Sequence, residues 1–380
     1  MKKIFLTFFP LGENEHLAKD VGIIPNIMSK NFGYESYLAV YDRGQKFDYL
    51  NSVVKDLKIW KIKSPSKPKF SKLSLQSILF FVKNSRKINV VNFYHLKLET
   101  RILAIIYKFF NRKGFVYVKA DFDIYKFKSY KIRGIRSCVD FLFEMLFRKI
   151  VNLVSVEQKQ GVCILKERFT EWKDKIIHIP NGIDFEFLKN LGFERLQKSD
   201  KEKLIITVGR LGLIQKNNQM MLDALNGLDL KDYKFVFIGP IYEETNIKFD
   251  MEQFYLNNPS LKDKVIFVGG IYDKSELYSW YKKASVFCLT SKWESWCLAL
   301  ADATYFGCEI VSTNVGCFED VTRREFGYEI KNTRELRTFF EKIVHEEINL
   351  LYNFEKIIER SKEFDWYSIC GRLDKALKEC

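Results

Sequence analysis

The chain has no long apolar run. Its longest stretches reach about nine residues and are interrupted, as by Lys108 within ILAIIYKFF (102–110), whereas crossing a bilayer takes roughly 17 or more. A membrane-spanning helix is therefore not expected. MKKIFLTFFP begins like a secretory leader, yet its apolar run stops after about six residues at Pro10, short of the usual h-region. It reads better as a first β-strand. A disulfide or metal framework is missing too: the eight cysteines (138, 163, 288, 297, 308, 317, 370 and 380) include no CxxC pair and no ligand spacing. They read as reduced thiols of a cytoplasmic protein.

What is present suits two domains. A chain of 380 residues exceeds one ordinary core, and 47% hydrophobic with 16% aromatic residues can fill two. The net charge of +14 is localised. Residues 51–150 hold 23 Lys and Arg against 6 Asp and Glu, which leaves the rest of the chain at −3. The excess is interleaved with aromatics, as in KIWKIKSPSKPKF (58–70). Such a segment can attract anionic lipid or nucleic-acid phosphates, or be an ordinary solvated face. Composition leaves the three open.

Short apolar runs alternate with helical periodicity: IFLTFF (4–9), YLAV (37–40), INVVNFY (88–94), FVYVKA (115–120) and LVSV (153–156). After a charged stretch at 190–203 the pattern restarts with KLIITVGR (203–210), KFVFIG (234–239), KVIFVGG (264–270), SVFCLT (285–290) and EIVST (309–313). The alternation predicts an α/β protein with parallel sheets covered by helices on both faces. Two doubly wound Rossmann-like halves would join near residue 190. Ligands in such sheets sit at the carboxyl ends of strands, and a cleft between two such domains is the default site.

Chemistry-bearing residues fall at those strand ends. In ITVGRLGLIQKNNQMMLDAL (206–225), Arg210 and Lys216 flank a helix start, where free amides and the helix dipole favour an anion such as a diphosphate. An exposed basic turn is the plainer reading. Gly270 and Ile271 follow another strand, where glycine lets a ring approach the backbone closely, or simply makes a tight turn. LTSKWESWCLALADATYFG (289–307) places Glu294 in a loop. Asp302, eight positions on, falls in the second turn of a helix that begins near Cys297. The amides of Ser295, Trp296 and Cys297 would face the same place as the two cations, and carboxylates so placed suit hydroxyl groups.

Taken in order, VGRL, QKN, FVGG, SKWESWCLALADATYFG and VSTNVG resemble the motifs of family 4 retaining glycosyltransferases, which have the GT-B fold. IPNGID (179–184) before them and FDWYSICGRL (364–373) after them fit the same family. The resemblance covers nearly all of residues 150–380. It implies two Rossmann-like domains facing a central cleft: an acceptor-binding domain at 1–190, a nucleotide-sugar-binding domain at 191–363, and a C-terminal helix at 364–380 returning to the first. It also implies transfer of a hexose or N-acetylhexosamine from a nucleotide sugar, UDP being the commonest carrier, with retention and without a metal or other cofactor. The acceptor would be a glycan or lipid-linked saccharide in bacterial surface polysaccharide synthesis.

Carried over by position, the resemblance has Arg210 and Lys216 neutralise the donor pyrophosphate and Glu294 hold the sugar hydroxyls. The amides of Ser295, Trp296 and Cys297 would contact sugar or phosphates, and Gly270 and Ile271 would lie beside the base. Asp302, where the family usually has Glu, would hold the ribose hydroxyls. The task of these groups is to stabilise the departing diphosphate, so no protein nucleophile is named. Acceptor-side candidates are Gly12, His16 and Lys19 after the first strand, with His95 and Lys119 at later strand ends. Asp121 stands where relatives carry a catalytic-site histidine and would orient or deprotonate the acceptor hydroxyl. Asp121-Phe122-Asp123 also mimics the DxD metal–nucleotide motif of the other large glycosyltransferase fold, but the ordered motifs downstream outweigh it. The basic segment 51–150 would hold the enzyme on an anionic membrane surface, at the inner face of the cell membrane. Within it, RGIRSCVDFLFEMLFRKI (133–150) is either a membrane-surface helix or an ordinary buried one. This reading has no nucleic-acid partner. Its alternatives are a basic nucleic-acid-binding protein and an inactive family member kept as a partner subunit.

Overall fold

Seven strands form the first sheet: β1 (Lys3–Phe8), β2 (Tyr34–Asp42), β3 (Lys58–Lys63), β4 (Val90–Tyr94), β5 (Phe115–Ala120), β6 (Leu153–Val156) and β7 (Ile176–His178). The computed structural model describes residues 2–65, 73–120, 135–242 and 245–379, with 135–140 as backbone only. All strand pairs of this sheet are parallel, in the order β3-β2-β1-β4-β5-β6-β7. The central strands read as nearly unbroken apolar runs because helices cover both faces. One face carries α1 (Asp20–Asn31) and the C-terminal helix Trp366–Glu379, whose Val21, Ile24, Met28, Trp366, Ile369 and Leu373 share one core cluster. The other face carries α2 (Leu75–Asn84), α3 (Leu98–Phe110), α4 (Ile135–Ile150) and α5 (Lys159–Arg168).

KIWKIK, part of the basic stripe in sequence, is the edge strand β3. Lys58 and Lys61 are exposed along it and pair with Glu35 and Asp42 of β2 at 2.7 and 3.2 Å. Lysines on an edge strand discourage pairing with another chain, which accounts for some of the local charge.

The second sheet has six parallel strands in the order β10-β9-β8-β11-β12-β13. They are β8 (Glu202–Val208), β9 (Lys234–Ile238), β10 (Val265–Gly269), β11 (Ala284–Leu289), β12 (Glu309–Ser312) and β13 (Tyr328–Glu329). Three of its helices bear on the site: α6 (Asn218–Leu225), α7 (Lys274–Lys283) and α8 (Leu298–Tyr305). Strand order reverses between β1 and β4 in the first sheet and between β8 and β11 in the second. Such switch points are where open α/β sheets place ligands.

The chain divides into Met1–Gly182 with Trp366–Cys380, and Ile183–Asp365. Residue 190, the join expected from sequence, ends the short helix Phe185–Asn190 inside the second unit. Phe364, expected to open the returning helix, stays with the second unit and accepts a hydrogen bond from the Ile183 amide at 2.7 Å.

Candidate active site

In the second unit the loops leaving β8 and β11 lie side by side at the switch point and are tied together. The Lys292 amide donates to Gln215 O at 2.8 Å, and Thr290 Oγ1 donates to Lys216 O and Asn217 O at 3.1 and 3.0 Å. Asn217 sits at φ 49, turning the chain into α6. This brings Lys216 Nζ to 2.5 Å from Glu294 Oε1, with side chains only 14% and 9% exposed. Ser291 Oγ donates to the same oxygen at 2.7 Å, and Gln215 Nε2 donates to Oε2 at 3.1 Å and to Trp293 O at 3.0 Å. Gln215 Oε1 accepts from Arg210 Nη2 at 3.2 Å, and the Arg210 side chain is otherwise open to solvent. Arg210, Lys216 and Glu294 are thus brought together, as expected, and Gln215 is the link that sequence reasoning missed.

Glu294 is held close by a glycine. Gly316 has φ 60, and a Cβ there would lie 2.1 Å from Trp296 O and 2.7 Å from Glu294 Cβ. No side chain fits that approach. The Cys317 amide then donates to Trp296 O at 3.1 Å. Cys297, the residue before α8, adopts φ 110 and ψ 86, a region that L-residues rarely enter and that marks stored strain. Burial pushes the Cys297 thiol up to about 12, helped by the charges of Glu294 and Asp302 and opposed by Lys216. The two carboxylates and the lysine therefore converge around this residue.

Asp302 lies in the second turn of α8. Burial raises its carboxyl to about 6, against the pull of Lys274. Among the described residues that carboxylate makes no hydrogen bond, whereas Glu294 is fully engaged. Trp296 contributes backbone only. Its indole is 2% exposed, packs on Phe364 at 5.7 Å, and leaves Nε1 without a partner. Ser295 is half-buried between them. Gly270 and Ile271 follow β10 beside the exposed Tyr272, with Ile271 packed on the unit's core.

In the first unit the candidates part company. Gly12 is there for packing: a Cβ would meet Val40 Cγ1 at 2.9 Å and Phe9 O at 3.1 Å. His16 Nδ1 accepts from the Glu13 amide at 3.0 Å and its ring lies on Phe9, so it serves as a cap. Burial, with Lys19 beside it, lowers its pKa. Lys19 is the exposed residue before α1. His95 follows β4 at φ 66, its amide donating to Lys119 O. Lys119 itself is fully buried, with Nζ 3.1 Å from Glu157, 3.8 Å from Asp20 and 3.5 Å from Ile179 O. Burial opposes its charge, but Glu157 and Asp20 prevail and raise its pKa. An ammonium so enclosed is an internal ion pair rather than the acceptor-side contact expected from sequence. Asn181, within IPNGID, donates to Glu157 at 2.7 Å and leaves Oδ1 unpartnered. Asp121 and Asp123 lie outside the described residues.

Among the described residues no group of three or more His, Cys, Asp and Glu could hold a metal ion, and no helix is long and apolar enough to cross a membrane. The described cysteines are free thiols.

Two parallel-sheet Rossmann-like units, the second with cations and carboxylates at its switch point, make up the GT-B fold. The Anabaena protein HepE in complex with UDP shares this fold with a TM-score of 0.73 at 13% identity, over 100% of both chains. Residues 189–360 match the family "Glycosyl transferases group 1". Among curated relatives, an uncharacterised 41.2 kDa protein of the cps region of Klebsiella pneumoniae is 25% identical over 218 residues, 53% of this chain and 57% of the relative. The Escherichia coli UDP-Gal:alpha-D-GlcNAc-diphosphoundecaprenol alpha-1,3-galactosyltransferase is 23% identical over 266 residues, 66% of this chain and 65% of that enzyme. The chain spans about half to two thirds of the length of the curated relatives it matches.

Proposed function

We propose that the chain is a retaining glycosyltransferase that moves a hexose or N-acetylhexosamine from a UDP-sugar to a lipid-linked saccharide, without a metal. It would work at the inner face of the bacterial membrane, in surface polysaccharide synthesis, and without a nucleic-acid partner. The observation that carries this reading is the Arg210–Gln215–Glu294–Lys216 constellation at the β8/β11 switch point. It joins two cations suited to a diphosphate with a carboxylate suited to sugar hydroxyls. The HepE complex supports UDP, and the name of the E. coli relative supports a sugar–lipid diphosphate acceptor.

In this reading the donor replaces the Lys216–Glu294 contact. The phosphates take Lys216 and Arg210, and the sugar hydroxyls donate to the freed Glu294 carboxylate. Each charged hydrogen bond contributes about 1.5–3 kcal/mol. As the bond to the anomeric carbon breaks, charge grows on the β-phosphate next to both cations, the electrostatic stabilisation that lowers the barrier. Asp302, with no partner of its own, accepts from the ribose.

Thermal shift with UDP, GDP and ADP in the presence of EDTA tests donor binding. A ligand at about a hundred times its dissociation constant adds roughly 2.7 kcal/mol. Selective stabilisation by UDP, followed by turnover of a UDP-sugar to an α-linked product by NMR, is the expected result. Stabilisation without turnover of any UDP-sugar would favour the inactive partner subunit.

A further inference from the structure

The helix Phe354–Ser361 sends Phe354, Ile357 and Ser361 inward, and Arg360 is drawn in beside them to 8% exposure. A guanidinium that deep needs carboxylates, and it has two. Its Nη1 donates to Glu363 at 2.6 Å and its Nη2 to Glu325 at 3.2 Å. Each carboxylate also holds a second cation: Glu363 pairs with Arg323, and Glu325 with Lys356 at 3.5 Å. Lys362 and Glu359 form a further pair beside them. Arg323 reaches its partner from a strained turn. It follows the short helix Phe318–Thr322 at φ 48, and Arg324 continues at φ 59. Two successive residues thus occupy a region that L-residues seldom enter.

These side chains line a cavity of about 510 Å³, within the range of about 300–1,000 Å³ typical of small-molecule sites. Such sites are mostly apolar, but every side chain lining this one is charged. None of Arg210, Lys216, Glu294 and Asp302 belongs to its wall.

The chemistry of the wall selects the ligand. Every cation already has a carboxylate. A phosphate would have to displace those carboxylates and then lie against them. A divalent metal would meet four cations, and an apolar molecule would strip water from charges and give nothing back. A polyhydroxylated ligand avoids all three costs. Its hydroxyls donate to the spare lone pairs of the carboxylates and accept from the ammonium and guanidinium groups, with no pair separated. Arg360 Nε is buried without a partner, so the network is one acceptor short, and a hydroxyl oxygen can be that acceptor. Tyr352, four positions before Lys356 and 80% exposed, offers an aromatic face to the apolar side of a sugar ring.

We propose that this cavity is a second saccharide-binding site on the unit, separate from the Arg210–Glu294 constellation, and that it holds part of a glycan chain. The assignment does not depend on the donor reading, because the cavity binds glycan whether or not the chain turns over a nucleotide sugar.

Saturation-transfer NMR titrations with maltotetraose, cellotetraose and chitotetraose test it. Wild type and Lys216→Met are compared with Arg323→Gln/Lys356→Gln, which neutralises two partly exposed cations of the wall. Glu359→Gln/Lys362→Gln, at the outermost pair, repeats the comparison. At least one probe should bind wild type and Lys216→Met alike. Each double variant should bind it more than tenfold more weakly, about tenfold being what one charged hydrogen bond gives. Exposed ion pairs contribute little to stability, so both double variants should keep the melting temperature and the UDP response of wild type. Wild type that binds none of the three probes overturns the proposal. So does binding that is lost in Lys216→Met and kept in the double variants, which would put the saccharide at the donor constellation. Inorganic phosphate that binds wild type but not the double variants, where no saccharide binds, would make the cavity an anion site instead.

Discussion

Each unit holds a lysine–glutamate pair at the carboxyl end of its sheet, and the two pairs are built for different ends. Lys119 and Glu157, 3.1 Å apart, are 0% and 4% exposed, and Asp20, Asn181 and Ile179 O close the space around them. Lys216 and Glu294, 2.5 Å apart, keep some contact with solvent beside the open Arg210. A sealed pair cannot exchange partners without exposing a buried charge. A pair at the rim can give each member to a ligand. The comparison teaches that the same two residue types at the carboxyl ends of parallel strands make an internal brace in one unit and a candidate reaction site in the other.

The largest effect should come from breaking the brace. Lys119→Met leaves Glu157 buried without its partner and should cost about 3–5 kcal/mol, read as a lower denaturant midpoint. If stability is unchanged and turnover is lost, the contrast between the pairs collapses. Next, Lys216→Met should reduce kcat by about 10²–10³ while barely moving the unfolding midpoint. A large loss of stability with normal turnover would make it a second brace.

Gln215→Met keeps the shape of the loop junction but removes its hydrogen bonds to Arg210, Glu294 and Trp293 O. A fall in kcat of about tenfold, one bond's share of about 1.4 kcal/mol, is expected. Gln215→Glu should be worse, because it sets two carboxylates together, whereas a simple spacer would tolerate it.

The smallest effect concerns pH. Asp302 has a folded pKa of about 6 against an ordinary 3.8. The folded state therefore holds the proton more tightly, and this group's contribution to apo stability falls as pH rises from about 4 to about 6, then levels off. UDP stabilisation should run the other way, weakening as pH drops through 6 and the carboxylate that accepts the ribose is lost. Asp302→Asn should flatten both trends. UDP titrations of wild type and variant at pH 5 and 8 would show it.

The second unit was far more legible than the first. Its strands and the positions of Arg210, Lys216, Glu294 and Asp302 follow from apolar runs ending in motif residues. The link through Gln215 was not legible, because a neutral side chain beside a lysine carries no signal until the two loops are folded together. Lys119 was misread for a physical reason: a lysine in VYVKA looks like a strand-end cation, and only the distant Asp20 and Glu157 turn it inward. KIWKIK has the period of a strand, but its lysines drew attention to charge instead.

The C-terminal helix has a consequence for synthesis. Trp366, Ile369, Cys370 and Leu373 fill the core beneath α1, so the unit of Met1–Gly182 lacks part of its interior until the residues after Asp365 have followed the second unit out of the ribosome. The second unit, Ile183–Asp365, is continuous and can fold as soon as it is made, as domains generally do. A ribosome stalled short of residue 366 would thus carry Ile183–Asp365 folded while the unit made before it still waits for the helix Trp366–Glu379.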